Sequence, residues 1–116
     1  MNKYLKLTDQ GKIDYLEELS HKYSDMGDFY IDVYYVERDI RVRSYVTLLI
    51  SDLDFLKDIA RSDSNEIIRQ QAIGKIRDKD IEFLDERLKL DHSPLVRNFI
   101  KTILRDVSPA LRFIKL

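Results

Sequence analysis

The chain has 116 residues, a length that fits one domain with a continuous buried core. It contains no Cys, so disulfide frameworks, thiol catalysis and Cys-based zinc sites are excluded. The net charge is −1, but residues 1–36 carry four Lys and seven acids, whereas residues 63–116 carry eleven bases and nine acids. The chain therefore has an acidic end and a mildly basic end, without the overall positive charge typical of nucleic-acid binders.

The first twenty residues are interrupted by charge every few positions and lack the apolar core of a signal peptide. No stretch approaches the roughly 20 apolar residues that span a bilayer. We therefore expect a cytoplasmic protein with no membrane partner.

Apolar residues recur at spacings of three, four and seven, which predicts helices with one buried face. In chain order, we predict helices over residues 9–23, 28–36, 40–51, 54–61, 65–77, 80–90, 94–105 and 109–115. They group as four helix pairs, of which the first is degenerate, as terminal repeats often are.

Residues 29–36 and 40–50 admit a competing interpretation, because they are rich in Tyr, Val and Ile. These residue types favour strands, and the Glu-Arg-Asp sequence between the segments is able to turn a hairpin. An α+β fold is therefore the alternative to the all-α fold.

Three serines are candidate helix caps, and one glycine lies inside a predicted helix. Ser93 and Ser108 each precede a proline and are expected to cap a helix in which that proline takes the first position. Ser64 is expected to cap the helix over 65–77. Gly74 lies inside that helix at a cost on the order of 1 kcal/mol against Ala, so we expect it to admit a neighbouring helix closely.

One pattern occurs three times along the chain. A phenylalanine is followed fourteen residues later by an arginine, and an acid stands six residues before that arginine. The phenylalanines are Phe29, Phe55 and Phe83, and the arginines with their acids are Arg43 with Glu37, Arg69 with Asp63, and Arg97 with Asp91. Self-similarity of this kind indicates stacked repeats.

The run DHSPLVR (91–97), and more loosely DSNEIIR (63–69), resembles the short HEAT-like repeats of bilin lyases and many bacterial proteins. The resemblance covers roughly residues 28–106 and implies an all-α fold, a short right-handed α-solenoid of about four HEAT-like helix pairs. It implies a single domain over residues 1–116, with an N-terminal capping pair at 1–36, repeats at 37–106 and a C-terminal capping helix at 107–116.

The same resemblance implies a protein-binding surface, because HEAT-like repeats serve mostly in this way across unrelated pathways. Two kinds of HEAT-like enzyme do not match the chain. The paired His-Glu dyads of the iron-dependent deoxyhypusine hydroxylases are missing, and so is the Trp of the alkylpurine DNA glycosylases.

The repeated charges are expected to form a structural ladder. Equivalent positions in stacked turns lie side by side, so each acid is able to pair with the arginine of its own or the adjacent turn while accepting helix N-terminal amides. The alternative is a row that binds phosphate or carboxylate. The ladder residues are Glu37, Arg43, Asp63, Arg69, Asp91 and Arg97.

The candidate binding surface lies toward the acidic end, where all seven tyrosines occur. Tyr is enriched at interfaces, because it combines a large area with a polar tip. Aligning the second helices of the pairs on their phenylalanines predicts which side chains face solvent in a concave groove. The candidate binding residues are Asp28, Ile31, Asp32 and Tyr35 in one copy and Lys57, Asp58 and Arg61 in the next.

We expect no catalytic residues, metal site or cofactor. The two histidines, His21 and His92, have no converging partners of the kind that a triad requires. Acid pairs such as Asp52 with Asp54 and Asp78 with Asp80 lie in polar stretches without a glycine loop of calcium-binding spacing.

These observations predict a non-enzymatic scaffold or adaptor whose acidic, Tyr-rich surface binds another protein with a basic patch. A narrower form of the prediction is an inhibitor or immunity-type protein. The alternatives are an enzyme accessory subunit and a weak nucleic-acid binder that uses the mildly basic C-terminal half. Nine acids interleaved with the bases of that half argue against nucleic acid as the partner.

Overall fold

The computed structural model describes residues 1–107, and all regular secondary structure in this range is helical. A 3₁₀ turn, Arg77–Lys79, lies between the sixth and seventh of its eight α-helices. The helices are α1 (Asn2–Leu5), α2 (Asp9–Lys22), α3 (Gly27–Val36), α4 (Ile40–Leu49), α5 (Leu53–Ser62), α6 (Glu66–Ile76), α7 (Ile81–Leu90) and α8 (Pro94–Val107). The all-α prediction is confirmed for the described residues. The predicted helix at 109–115 and the cap at Ser108 lie outside them.

The strand alternative for the Tyr-, Val- and Ile-rich segments is wrong, because these segments form α3 and α4. Tyr30 and Val33 are buried three positions apart in α3, and Val42 and Val46 four positions apart in α4, which is helical spacing. Asp39, between the two helices, caps α4 by accepting the amide of Val42 at 3.2 Å. The connection therefore starts a helix instead of turning a hairpin.

The N-cap predicted at Ser64 is also wrong, because Asn65 takes this role for α6. The Asn65 Oδ1 accepts the amides of Ile67 and Ile68 at 2.8 and 3.2 Å. Asp63 accepts the amide of Asn65 at 2.8 Å and so fixes the turn one residue before the cap.

Ser93 does cap α8, and Pro94 is the first residue of that helix, as predicted. The Ser93 Oγ accepts the amide of Val96 at 3.3 Å. The same hydroxyl donates to the carboxylate of Glu66 in the first turn of α6. One side chain thus caps α8 and ties its start to the start of α6.

Two short elements were not predicted. α1 has four residues, too few to show a repeating apolar spacing. The helix α6 ends at Ile76, because Arg77 adopts a positive φ of 39° that does not continue a right-handed helix, and the 3₁₀ turn follows.

The chain divides into two compact units, Met1–Asp52 and a second that begins at Leu53. In the first unit, α4 packs against α2 and α3. In the second, α6 packs against α5 and α8, and α7 packs against α8. Fully buried apolar side chains include Leu16, Val33, Val42 and Val46 in the first unit and Leu56, Ile68, Ile73, Leu84 and Ile100 in the second. The division into capping pair, repeats and capping helix stays a prediction.

Gly74 lies where α6 meets α8. A Cβ atom built on Gly74 would meet Cε2 and Cζ of Phe99 at 3.5 Å. This is an ordinary van der Waals distance, so the helices approach closely there and still leave room for a methyl group.

Replacing Gly74 with Ala is therefore expected to raise the free energy of unfolding by about 0.5–1 kcal/mol, because Ala restricts the unfolded chain and favours the helix. Urea denaturation measures the change. Gly11→Ala is the matched comparison, since its Cβ would lie 3.1 Å from the capping hydroxyl of Thr8, and we expect a smaller gain there. A loss of stability in Gly74→Ala would show that Phe99 cannot accept the methyl group.

Candidate functional site

Four of the predicted binding residues lie on α3, and we call them the α3 surface: Asp28, Ile31, Asp32 and Tyr35. Asp28, Asp32 and Tyr35 are exposed, Tyr35 with 71% of its area in water, whereas Ile31 is half-buried. Val33 occupies the opposite face and is fully buried. The spacing of the exposed residues at four and seven places them on one side of the helix.

The α3 surface is acidic and free of bases, since no Lys or Arg occurs in residues 23–37. Asp28 lies in the first turn of α3, where a carboxylate stabilises the helix N-terminus. Behind the surface, the Tyr34 ring meets the Tyr35 ring edge-on at 5.8 Å, and the Arg43 guanidinium lies 5.2 Å from the centre of the Tyr34 ring. Tyr35 is thus an exposed aromatic side chain backed by a packed one.

A cleft of about 330 Å³ lies between α5 and α7 in the second unit. The ring of Phe83 lies beneath two cations: the Lys57 Nζ is 5.8 Å and the Arg61 guanidinium 4.9 Å from its centre. Such cation–π contacts hold long side chains in place. The full lining is Lys57, Arg61, Asp80, Glu82, Phe83 and Glu86.

Most charged side chains that line this cleft form ion pairs. Lys57 pairs with Asp80, and this hydrogen bond is the main reason that the pKa of Asp80 lies below its usual range. The Arg61 guanidinium lies 3.2 Å from Asp58 and 3.8 Å from Glu86. Because the lining is polar, the cleft lacks the apolar walls of a typical small-molecule site.

The predicted binding residues thus fall into two groups in different units. Asp28, Ile31, Asp32 and Tyr35 belong to α3 in the first unit, and Lys57, Asp58 and Arg61 belong to α5 in the second. The structure brings Lys57 and Arg61 together with α7.

Glu37, the first of the repeated acids, is buried in a network of the first unit. Its Oε2 accepts the Tyr4 hydroxyl at 2.6 Å and lies 3.2 Å from the Lys12 Nζ. Its Oε1 accepts the amides of Arg38 and Asp39 at 3.1 and 3.2 Å. Burial works to raise the pKa of Glu37, but the hydrogen bonds from Tyr4 and the Asp39 amide and the Lys12 charge outweigh burial and lower it. Burial and the bond to this carboxylate raise the pKa of Tyr4.

Arg69 and Asp91 form a buried, bidentate ion pair in the second unit. The Arg69 Nε and Nη2 donate to the two carboxylate oxygens at 2.9 and 3.2 Å, and the side chains are only 5% and 2% exposed. The Arg69 Nη1 also donates to the carbonyl of Asp63 at 2.9 Å, and Asp91 accepts the amide of Ser93 at 2.9 Å. Burial raises the pKa of Asp91, but the bonds from Arg69 and the Ser93 amide bring it below its usual range.

The ladder acids share one local role and differ in their longer contacts. Each acid, Glu37, Asp63 and Asp91, accepts an amide two residues later, which fixes the turn before the next helix. Arg97 donates from Nη1 to the carbonyl of Asp91 at 2.9 Å, as Arg69 does to that of Asp63. Within the second unit, the structure thus places an arginine of one turn against the acid of the next.

Within residues 1–107, no group of three or more His, Cys, Asp or Glu side chains is arranged to hold a metal ion. His21 is exposed on α2 with its Nε2 3.9 Å from Glu17, and His92 is exposed in the turn before α8. In the same part of the chain, no helix has both the length and the apolar character to cross a membrane.

Sequence reasoning missed Tyr4 and Lys12 as the partners of Glu37. Both lie outside the repeats, so the register does not align them with any other residue. A signal was nevertheless present: Glu37 is the ladder acid with no repeat arginine before it, so any partner other than Arg43 was to be sought in the N-terminal segment. The cleft was missed because its lining from α7 depends on how that helix packs beside α5.

Comparisons with protein-family models, with curated proteins and with solved structures found no match to this chain. The function proposed below therefore rests on the residues of this chain and their geometry.

Proposed function

We propose that the chain is a HEAT-like protein-binding scaffold, a short right-handed α-solenoid without enzymatic activity that binds one partner through the α3 surface. The observation that carries this proposal is the 71% exposure of Tyr35 beside the exposed Asp28 and Asp32. A large aromatic side chain in water gains roughly 25 cal/mol for each Å² of apolar area that a partner covers. Tyr is also among the residue types that dominate interface energetics.

The second unit supports the solenoid part of the proposal. α6 and α8 are equivalent helices of successive copies, and they pack against each other. Arg69, before the middle of α6, reaches Asp91 in the turn before α8. Contacts between equivalent elements of neighbouring copies are those that a stack of repeats makes.

The partner's chemistry follows from the charge of α3. A basic patch places Lys or Arg side chains against Asp28 and Asp32, while an apolar group covers the ring of Tyr35. Such complementarity speeds association and excludes acidic competitors. If the partner's basic patch is its own active surface, the scaffold acts as an inhibitor or immunity-type protein by covering that surface.

Replacing Tyr35 with Ala is expected to weaken partner binding by about 1–3 kcal/mol, as truncation of an aromatic anchor does. The melting temperature is expected to stay nearly constant, because the side chain is largely in water. The partner is first captured on the wild-type protein from the native host and identified, and its affinity for each variant is then measured by calorimetry.

Tyr23→Ala is the matched control, because Tyr23 is also exposed, at 53%, and lies outside α3. We expect it to leave affinity unchanged. Ile31→Asp is less clean, since Ile31 is half-buried and its loss also touches packing. Capture of nucleic acid without protein, or unfolding of the Tyr35→Ala protein, would contradict the proposal.

A further inference from the structure

Arg97 makes one of the two contacts that Arg69 makes. Each arginine donates from Nη1 at 2.9 Å to the carbonyl six residues before it, Asp63 for Arg69 and Asp91 for Arg97. Arg69 uses its other edge, Nε and Nη2, to hold the carboxylate of the next turn. Among residues 1–107, Arg97 has no ion pair. Its guanidinium is thus held in place by one edge while the other edge has no carboxylate from this part of the chain.

Two more cations continue along the same side of α8. Arg97, Lys101 and Arg105 follow one another at intervals of four, so they lie along one flank of the helix. Arg105 is exposed and the other two are partly exposed. No ion pair joins any of the three to another residue of the described range. We call these three residues the α8 flank.

The equivalent flank of α6 differs in one informative way. Ile73 stands one turn after Arg69, as Lys101 stands one turn after Arg97, and Ile73 is fully buried. In α6 this side is therefore covered by protein, and its arginine is satisfied by an acid. In α8 the same positions present cations to the surroundings.

We propose that the α8 flank binds an acidic segment of a second protein, with one carboxylate paired to Arg97 as Asp91 is paired to Arg69. The planar guanidinium matches a carboxylate with two parallel hydrogen bonds, and the bond to the Asp91 carbonyl fixes its orientation in advance. Lys101 and Arg105 take further acidic side chains of the same segment.

Other sources of the carboxylate fit less well. No Asp or Glu side chain occurs in residues 108–116. In a second copy of the chain, the ladder acids are already bound, Glu37 by Tyr4 and Lys12 and Asp91 by Arg69. The exposed Asp28 and Asp32 of α3 could still reach the flank of another copy, so self-association is an outcome that the test has to separate. The α8 flank lies in the second unit and shares no residue with the α3 surface, so this inference does not depend on the function proposed above.

Hexa-aspartate is the probe that tests this proposal. Its binding to the ¹⁵N-labelled full-length protein is monitored through the Nε–H resonances of the arginines. The Arg97 resonance, assigned by its loss in Arg97→Lys, is expected to shift on titration. Arg97→Ala is expected to lower the affinity for hexa-aspartate about tenfold. Arg97→Lys keeps the positive charge but not the two parallel hydrogen bonds of a guanidinium, and is expected to lower the affinity about fivefold. Lys79→Ala, which removes an exposed cation of the 3₁₀ turn, is the control and is expected to change affinity less than about twofold.

Three outcomes would overturn the proposal. An unshifted Arg97 resonance, or an equal loss in Lys79→Ala, would mean that the probe senses net charge alone. Tighter Arg97-dependent binding of a thymidine oligonucleotide of equal charge would make the flank a nucleic-acid surface. Concentration-dependent association of the protein with itself, abolished by Arg97→Ala, would identify a second copy as the occupant. The resonance shift is read on the wild-type protein, so it remains decisive if a variant is poorly folded.

Discussion

Replacing Arg69 with Ala is expected to lower the free energy of unfolding by about 3–5 kcal/mol, because it leaves the Asp91 carboxylate buried without its partner. The arginine also bonds to the carbonyl of Asp63, which becomes unsatisfied in the variant. Since a domain of this size is stabilised by only about 5–15 kcal/mol, the variant is expected to be partly unfolded at physiological temperature. Urea denaturation followed by circular dichroism measures the loss.

Arg61→Ala serves as the matched control, because Arg61 also pairs with acids but lies exposed on α5. An exposed ion pair contributes about 0–1 kcal/mol, so we expect a small effect there. The double variant Arg69→Met with Asp91→Leu is expected to recover much of the loss, since it leaves neither charge of this pair buried without its partner. Equal losses in Arg61→Ala and Arg69→Ala would show that burial of the pair does not determine its effect.

Acidification is expected to destabilise the protein through Glu37 and Asp91. The pKa of each is lower in the folded protein than in the unfolded chain. The stability that they contribute is therefore fully present above the unfolded carboxyl pKa of about 4 and is lost as the pH falls below it toward the folded pKa. Unfolding free energies measured by urea denaturation from neutral pH down to about pH 3 are expected to fall steadily in the acid range.

The variant Glu37→Gln distinguishes the contribution of Glu37 to the acid dependence from that of Asp91. It is expected to lower stability at neutral pH by about 1–3 kcal/mol, because Lys12 and Tyr4 lose a charged, buried acceptor. It is also expected to flatten the loss of stability toward acid, since one of the carboxyl groups with a lowered pKa no longer titrates. Tyr4→Phe removes one of the bonds that lower the pKa of Glu37, so its acid-induced loss is expected to be smaller and to be complete at a higher pH. An acid dependence identical in wild-type and Glu37→Gln proteins would remove Glu37 from this account.

Helix positions were predictable because the apolar spacing is local. α2 to α8 begin and end within about two residues of the predicted bounds, because burial of one face and the spacing of three and four act together. The cap at Asn65 was not predictable from capping preferences, since Ser64 and Asn65 are both good N-caps. The choice between them depends on Asp63, whose bond to the Asn65 amide forms only once the turn is built.

The side-chain partners were harder to predict than the helices. The register allowed each acid to pair with the arginine of its own or the adjacent turn, and the structure pairs Asp91 with Arg69 of the adjacent turn. The repeat register did not predict the contact of Tyr4, which lies in the four-residue helix α1 and donates to Glu37, 33 positions later in the sequence. Long-range contacts of this kind depend on packing that a periodic pattern does not encode. The exposure of Tyr35 follows from its place on α3, whereas the charges of the α5–α7 cleft required two helices to be placed together.

The contacts of Arg69 also bear on how the second unit opens. A single guanidinium holds the carbonyl that precedes α6 and the carboxylate that precedes α8. Detaching α8 alone would leave that charge in the interior without its counterion, which is more costly than fraying an ordinary helix end. Ser93 adds a second tie between the starts of the same two helices. Local fluctuations that release α8 by itself are thereby disfavoured, so we expect the amide hydrogens of α6 and α8 to exchange with solvent as one group and not helix by helix.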